Sequence, residues 1–175
     1  RRSPAPRGKS WLPPEARRLL QAASVVAKDV PFALLQAIAE VPEDALRRGL
    51  ATLQAGEFLH EARLFPDLEY TFKHALTHEV AYGNLLQDRR RALHARIVEA
   101  SEALYAGRLA EHVEQLAHHA ARGEVWEKAV RYLRQAGAKA FARSANRESA
   151  TSFEQALEAL AHLPETRETV EQGID

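Results

Sequence analysis

The chain has 175 residues and no cysteine, which removes disulfides, thiolate metal sites and thiol nucleophiles together and fits a reducing, cytoplasmic setting. Its 24 lysines and arginines balance 24 acids, but Arg1, Arg2, Arg7 and Lys9 crowd the first ten residues, leaving 20 bases against 24 acids from Trp11 onward. That balance speaks against a partner made of phosphate backbone, and no apolar run approaches the roughly 18 residues of a membrane span.

Residues 1 to 10, RRSPAPRGKS, have no apolar anchor and read as a disordered tail. Pro13 and Pro14 open a first helix at the end where proline is tolerated, with Leu19, Ala23 and Val26 at helical spacing, and Lys28, Asp29 and Pro31 break it. Phe32, Leu35 and Ile38 mark a short second helix. Pro42, Glu43 and Asp44 start a third, striped by Leu46, Leu50 and Leu53 and stopped by Gly56. Phe58 and Leu59, then Leu68, Tyr70 and Phe72, suit two strands around the turn Phe65-Pro66-Asp67. An isolated hairpin is marginal, so it must lean on the helices before it. Three short helices followed by a hairpin is the order of a winged-helix domain, placed at residues 11–86.

From residue 87 to 175 every signal is helical. Asp88 is positioned to cap a helix carrying Leu93, Ile97 and Leu104, which Gly107 ends. Leu109, Val113, Leu116 and Ala120 build the next, up to Gly123. A third runs from about Glu124 through Trp126, Leu133 and Ala140, and a fourth from about Asn146 through Phe153 and Leu160 to Pro164. Small residues facing large ones suit stacked antiparallel hairpins. The tetratricopeptide signature is partly present: Ala136-Gly137 hold the Leu-Gly place, and Ser149, Phe153 and Ala156 the second-helix places, but Leu133 replaces tryptophan and no second copy follows. The fold class read here is mainly α: a winged helix, then an antiparallel helical superhelix similar to tetratricopeptide repeats.

Few constellations carry chemistry. Gly8-Lys9-Ser10 imitates the end of a phosphate-binding P-loop, but Ser3 stands where the first glycine belongs and no strand precedes it. His74 and His78 have zinc-compatible spacing, yet Ala75 stands where zincins have glutamate and no third ligand is apparent. His118 and His119 are helical neighbours and are read as pointing to different faces. Arg89, Arg90 and Arg91 read as a solvated helix start beside Asp88. The third helix carries Glu43, Asp44, Arg47 and Arg48, a balanced set for a helix that would have to read base edges. No nucleophile elbow is present. The reading is therefore non-enzymatic, with no catalytic residue, no metal and no cofactor in this chain.

The runs LPPEARRLLQAASVVAKDVPFALLQAIAE, EYTFKHALTHEVAYGNLL, RRRALHARIVEA and WEKAVRYLRQAGAKAFARSANRESATSFEQALEAL, spanning Leu12 onward, resemble the region after the ATPase core in bacterial STAND-type signal-transduction ATPases. Many of those relatives carry an adenylate or guanylate cyclase domain. The lack of any methionine reads as a piece of a longer product, and the resemblance implies that the longer product binds ATP or ADP and that this piece is regulatory. It also implies a winged helix that docks on a nucleotide-binding core and a helical arm that contacts other proteins. Phe72-Lys73-His74-Ala75-Leu76 resembles the motif whose histidine reaches the bound ADP phosphate, with Ala75 where many relatives have aspartate. His74 is thus the candidate nucleotide-sensing residue, with a plain helix cap as its bland alternative. The rival reading is a DNA-binding winged-helix regulator.

Overall fold

The computed structural model describes residues 12–64 and 67–164. The expected tail, the P-loop imitation and the Phe65-Pro66 half of the hairpin turn lie outside the described residues. The protein is mainly α-helical with one small antiparallel sheet, and it divides into two compact units, the first ending at Leu85 and the second beginning at Leu86.

In the first unit, α1 (Pro14–Val26) starts where Pro13 and Pro14 fix φ and lack amide donors that a helix start would leave unused. It packs on α2 (Phe32–Ala39), α3 (Glu43–Ala55) and α4 (Ala75–Gly83). Leu19, Ala23, Leu35, Ile38, Leu46, Leu50 and Leu53 form the buried interior expected from their spacing, joined by Leu20. Glu43 sits in the first turn of α3, opposing the helix dipole, and its carboxylate accepts two bonds from Arg47 one turn on. Arg47 also lies over the Phe32 ring at 5.1 Å, so this arginine of the third helix is engaged within the unit.

The sheet has a strand that periodicity does not announce. β1 (Asp29–Pro31) joins β2 (Leu59–Arg63) and β3 (Glu69–Phe72) in the order β1-β3-β2, so β3 is central. Val30 pairs with Tyr70, and Leu59 with Phe72. The ladder continues past the strand ends, with Phe32 N donating to Leu68 O at 2.8 Å and Phe72 N to Lys28 O at 3.2 Å. Pro31, which has no amide hydrogen, is tolerated because β1 is an edge. A bulge between Glu61 and Arg63 breaks the β2 register near the turn.

The second unit contains α5 (Gln87–Leu104), one 3-10 turn (Leu109–Glu111), α6 (Val113–Arg122), α7 (Trp126–Ala142) and α8 (Asn146–Leu160). Each helix packs on the next in chain order. Its core is built from Val98, Val113, Leu116, Ala129, Leu133 and Ala156, alanine-rich as the sequence indicates. A Cβ added at Gly137 would lie 3.0 Å from the Phe153 ring, so the absence of a side chain lets α7 and α8 approach closely. Glu102 on α5 accepts from Lys128 at 2.6 Å, from Arg131 at 3.0 Å and from the Tyr132 hydroxyl, tying α5 to α7.

Three details differ from expectation. Asp88 does not cap α5: Leu86 is its N-cap without a side-chain bond, and Asp88 instead accepts from Arg91 at 2.7 Å. α5 stops at Leu104, before Gly107. Leu109 belongs to the separate 3-10 turn, because α6 begins only at Val113.

Three helices end alike. Phe58 N donates to Leu53 O, Val125 N to Ala120 O and Ala145 N to Ala140 O, the long bond of a Schellman motif, at 2.9 to 3.0 Å. The left-handed residue in each is not glycine but Glu57, Glu124 or Ser144, with φ of 58°, 55° and 60°. A non-glycine residue there is strained, so Ser144→Gly should stabilise the helical unit by about 0.5 to 1 kcal/mol. Urea unfolding followed by circular dichroism reads this directly, and a lower midpoint for the variant would contradict the assignment of strain.

Candidate functional site

His74 lies where the sheet hands over to α4. Lys73, just before it, donates its amide to Phe58 O at 3.1 Å and its ammonium to Glu57 at 2.6 Å, fixing the chain at the end of β3 against the start of β2. His74 itself is the N-cap residue of α4, with extended backbone, and its carbonyl accepts from Thr77 N at 3.0 Å. Its imidazole is exposed and makes no capping bond, which removes the bland reading of a side-chain cap. Ala75 and Leu76 follow, both exposed, Leu76 at 68 %, and the first turn of α4 holds no acid. An exposed imidazole at a helix start, with no acid in the first turn, can donate to an anionic oxygen.

His78 is separated from this surface. Its ring meets Phe72 edge-on at 5.0 Å between centroids and lies parallel to Tyr82 at 6.5 Å, half-buried, with Nε2 lacking a hydrogen-bond partner. The structure therefore does not gather His74, His78 and Glu79 into a three-ligand set.

A histidine cluster does form in the second unit. His94 on α5 is 1 % exposed, His119 on α6 is buried, and His118 beside it is exposed. The Nδ1 atoms of His94 and His119 stand 2.8 Å apart, a hydrogen bond in which one ring donates and the other accepts. Ring centroids are 5.0 Å apart for His94 and His119, 5.8 Å for His94 and His118, and 5.2 Å for His118 and His119. One nitrogen from each ring lies within 4.8 Å of those of the other two. The expectation that His118 and His119 diverge thus fails: helical neighbours leave the axis in different directions, but both imidazoles meet the ring of His94 and each other.

Two of the rings are held towards the neutral form. Burial lowers the His94 pKa to about 3, helped by His119, His118 and the nearby charges of Arg122 and Arg90. Burial and Arg122 also lower His118. Sequence reasoning overlooked His94, although its spacing to Ile97, Val98 and Ser101 places it on the buried face of α5.

The helical unit also presents apolar groups outward. Phe141 on α7 is 68 % exposed and Leu157 on α8 is 56 % exposed. An open groove of about 670 Å³ is lined by Lys128, Arg131, Arg134, Gln135 and Phe153.

Among known proteins, the chain is similar to an uncharacterized protein of Rhizobium meliloti (strain 1021), 30% identical over 152 residues. The match covers 86% of this chain but only 15% of that relative, so the chain spans a small part of its length. No protein-family description matches the chain, and no solved structure matches it. Among the described residues, no helix is long and apolar enough to cross a membrane.

Proposed function

We propose that this chain is a non-catalytic regulatory and interaction module of a STAND-type signal-transduction ATPase. The first unit acts as a winged helix that docks on a nucleotide-binding core, and the helical unit acts as an arm that contacts other proteins. The order α1-β1-α2-α3-β2-β3, with β3 central and the chain passing directly into α4, supports the winged-helix reading. Close α7–α8 packing at Gly137 and the sequential contacts of α5 to α8 support a repeat-like arm, and exposed Phe141 and Leu157 give it apolar contact points.

The observation that carries the proposal is the exposed His74 imidazole at the start of α4, where Lys73 ties the end of β3 to Glu57 and Phe58 just before β2. Bound ADP in a neighbouring domain would bias docking by accepting from this imidazole, and the nucleotide state would be read as docked or released. Ala75 leaves the ring without a carboxylate to orient it, so docking contacts around Leu76 must supply that constraint.

The test is nucleotide exchange in the longer gene product. His74→Ala removes a charge-assisted bond, so ADP release should quicken by about tenfold or more, with the module still folded. Unchanged ADP retention would overturn the role of His74. Arg47, bonded to Glu43 and lying over Phe32, is one of the two arginines of α3 and is engaged within the unit, and Glu43 and Asp44 balance the charge of the pair, which favours this proposal over a DNA-binding regulator.

A further inference from the structure

We propose that His94, His118 and His119 form a binding site for a single divalent transition-metal ion, zinc above all, on the α5–α6 pair. It is independent of the nucleotide-linked role of the first unit.

The donor set is suited to the ion. Three imidazoles are ligands favoured by zinc, nickel and copper, and they disfavour magnesium and calcium, which take oxygen. Neutral rings are the metal-binding form, and the Nδ1–Nδ1 hydrogen bond requires at least one ring of the His94–His119 pair to be neutral. The geometry needs little change. Tetrahedral zinc with bonds of about 2.0 to 2.1 Å holds its ligand atoms roughly 3.3 Å apart. The Nδ1 atoms of His94 and His119 are 2.8 Å apart, so they must open by about 0.5 Å, which small rotations of the two rings provide. One ring nitrogen of His118 already lies within 4.8 Å of a ring nitrogen of each of the other two. His118 is exposed and its ring already meets both others edge-on, so an ion can reach the cluster from its side.

Charge around the cluster decides what else the ion would hold. Arg122 and Arg90 act on His94 electrostatically, and the three-residue ligand set contains no carboxylate. Their repulsion weakens cation binding, so the site should be moderate in affinity. The same field favours an anion, hydroxide or an acidic side chain of a partner, in the fourth position that three protein ligands leave open. The alternative use of these residues is a closed hydrogen-bonded pair of core histidines, with His118 a bystander.

The experiment uses the whole, untagged chain, stripped with chelator and titrated with zinc chloride by calorimetry. One ion per chain should bind with a dissociation constant in the micromolar range. Cobalt chloride should give the intense visible absorption of a four-coordinate ion and should be displaced by zinc. His118→Ala, at an exposed position that the fold does not need, should weaken zinc binding by at least about tenfold while circular dichroism stays unchanged. His60→Ala, on the exposed face of β2, should leave binding unaltered and serves as control. No stoichiometric binding at a hundredfold molar excess of zinc over this range, or equal binding by the His118→Ala and parent chains, overturns the proposal. Equal loss in the His118→Ala and His60→Ala chains would show scattered surface binding and overturn it equally.

Discussion

Gly123→Val should destabilise the helical unit by about 3 kcal/mol, the upper end of what overpacking costs. Gly123 caps the C-terminus of α6, and its own φ of −83° is one any residue adopts, so the effect is not conformational. A Cβ there would lie 2.7 Å from Ala95 N and 3.0 Å from Ala95 Cα. Those are backbone atoms inside α5, which cannot swing aside as a side-chain tip can, so α5 and α6 must separate. Separation would loosen Val98 against Val113 and Leu116, the start of the core that runs on into α7. Gly107, which has nothing within 4 Å of its own added Cβ, provides the control, and Gly107→Ala should change stability by no more than about 0.5 kcal/mol. Native-state hydrogen exchange of α5 and α6 amides measures both, and equal protection in the two variants would refute the steric argument.

Acid should unfold the same unit from the inside. In metal-free protein the His94 pKa is about 3, against about 6.5 for a free histidine, so the unfolded chain binds the extra proton first. The stabilisation from keeping His94 neutral is fully present above pH 6.5 and is lost as pH falls towards 3. The slope approaches about 1.4 kcal/mol per pH unit within that window. A single proton leaves one Nδ1–H donor facing one acceptor, so the bond to His119 is lost only when both rings are protonated. Below the ordinary carboxylate range Glu102 adds to the trend: burial raises its pKa, but the bonds from Lys128 and Tyr132 outweigh this and lower it. Urea midpoints at pH 7, 6 and 5, in chelator, follow the change. A midpoint that holds constant across that interval would sink it, and in a His94→Leu chain the slope between pH 6.5 and 5 should become shallower, what remains coming from His118, whose pKa is also lowered.

The legible parts of this fold were those set by local chemistry. Pro13-Pro14 and Pro42-Glu43 mark the starts of α1 and α3, and the Leu46, Leu50, Leu53 stripe is buried as its spacing requires. β1 was illegible because three residues with one fully buried side chain, Val30, have no periodicity to detect; β1 exists through its pairing with β3, some forty residues on. Asp88 looks like a cap, but Arg91 lies three residues on and takes its carboxylate. Glycine was a good marker of where α3 and α6 end, yet the left-handed turn falls one residue later on a glutamate in each. For the candidate sites, His74 was legible as a residue at a strand–helix junction. The histidine cluster was not, because its members come from two helices and the third, His94, sits in an ordinary apolar stripe.

The central place of β3 also governs the order in which this protein can be made. As the chain leaves the ribosome, α1, β1, α2, α3 and β2 all emerge before the strand that joins the two outer ones. Until Phe72 has cleared the exit tunnel, Val30 and Leu59 have no strand to pair with, and both edges stay open to other chains. A nascent chain stalled short of Glu69 would therefore be the form most in need of a chaperone, and four more residues would end that need.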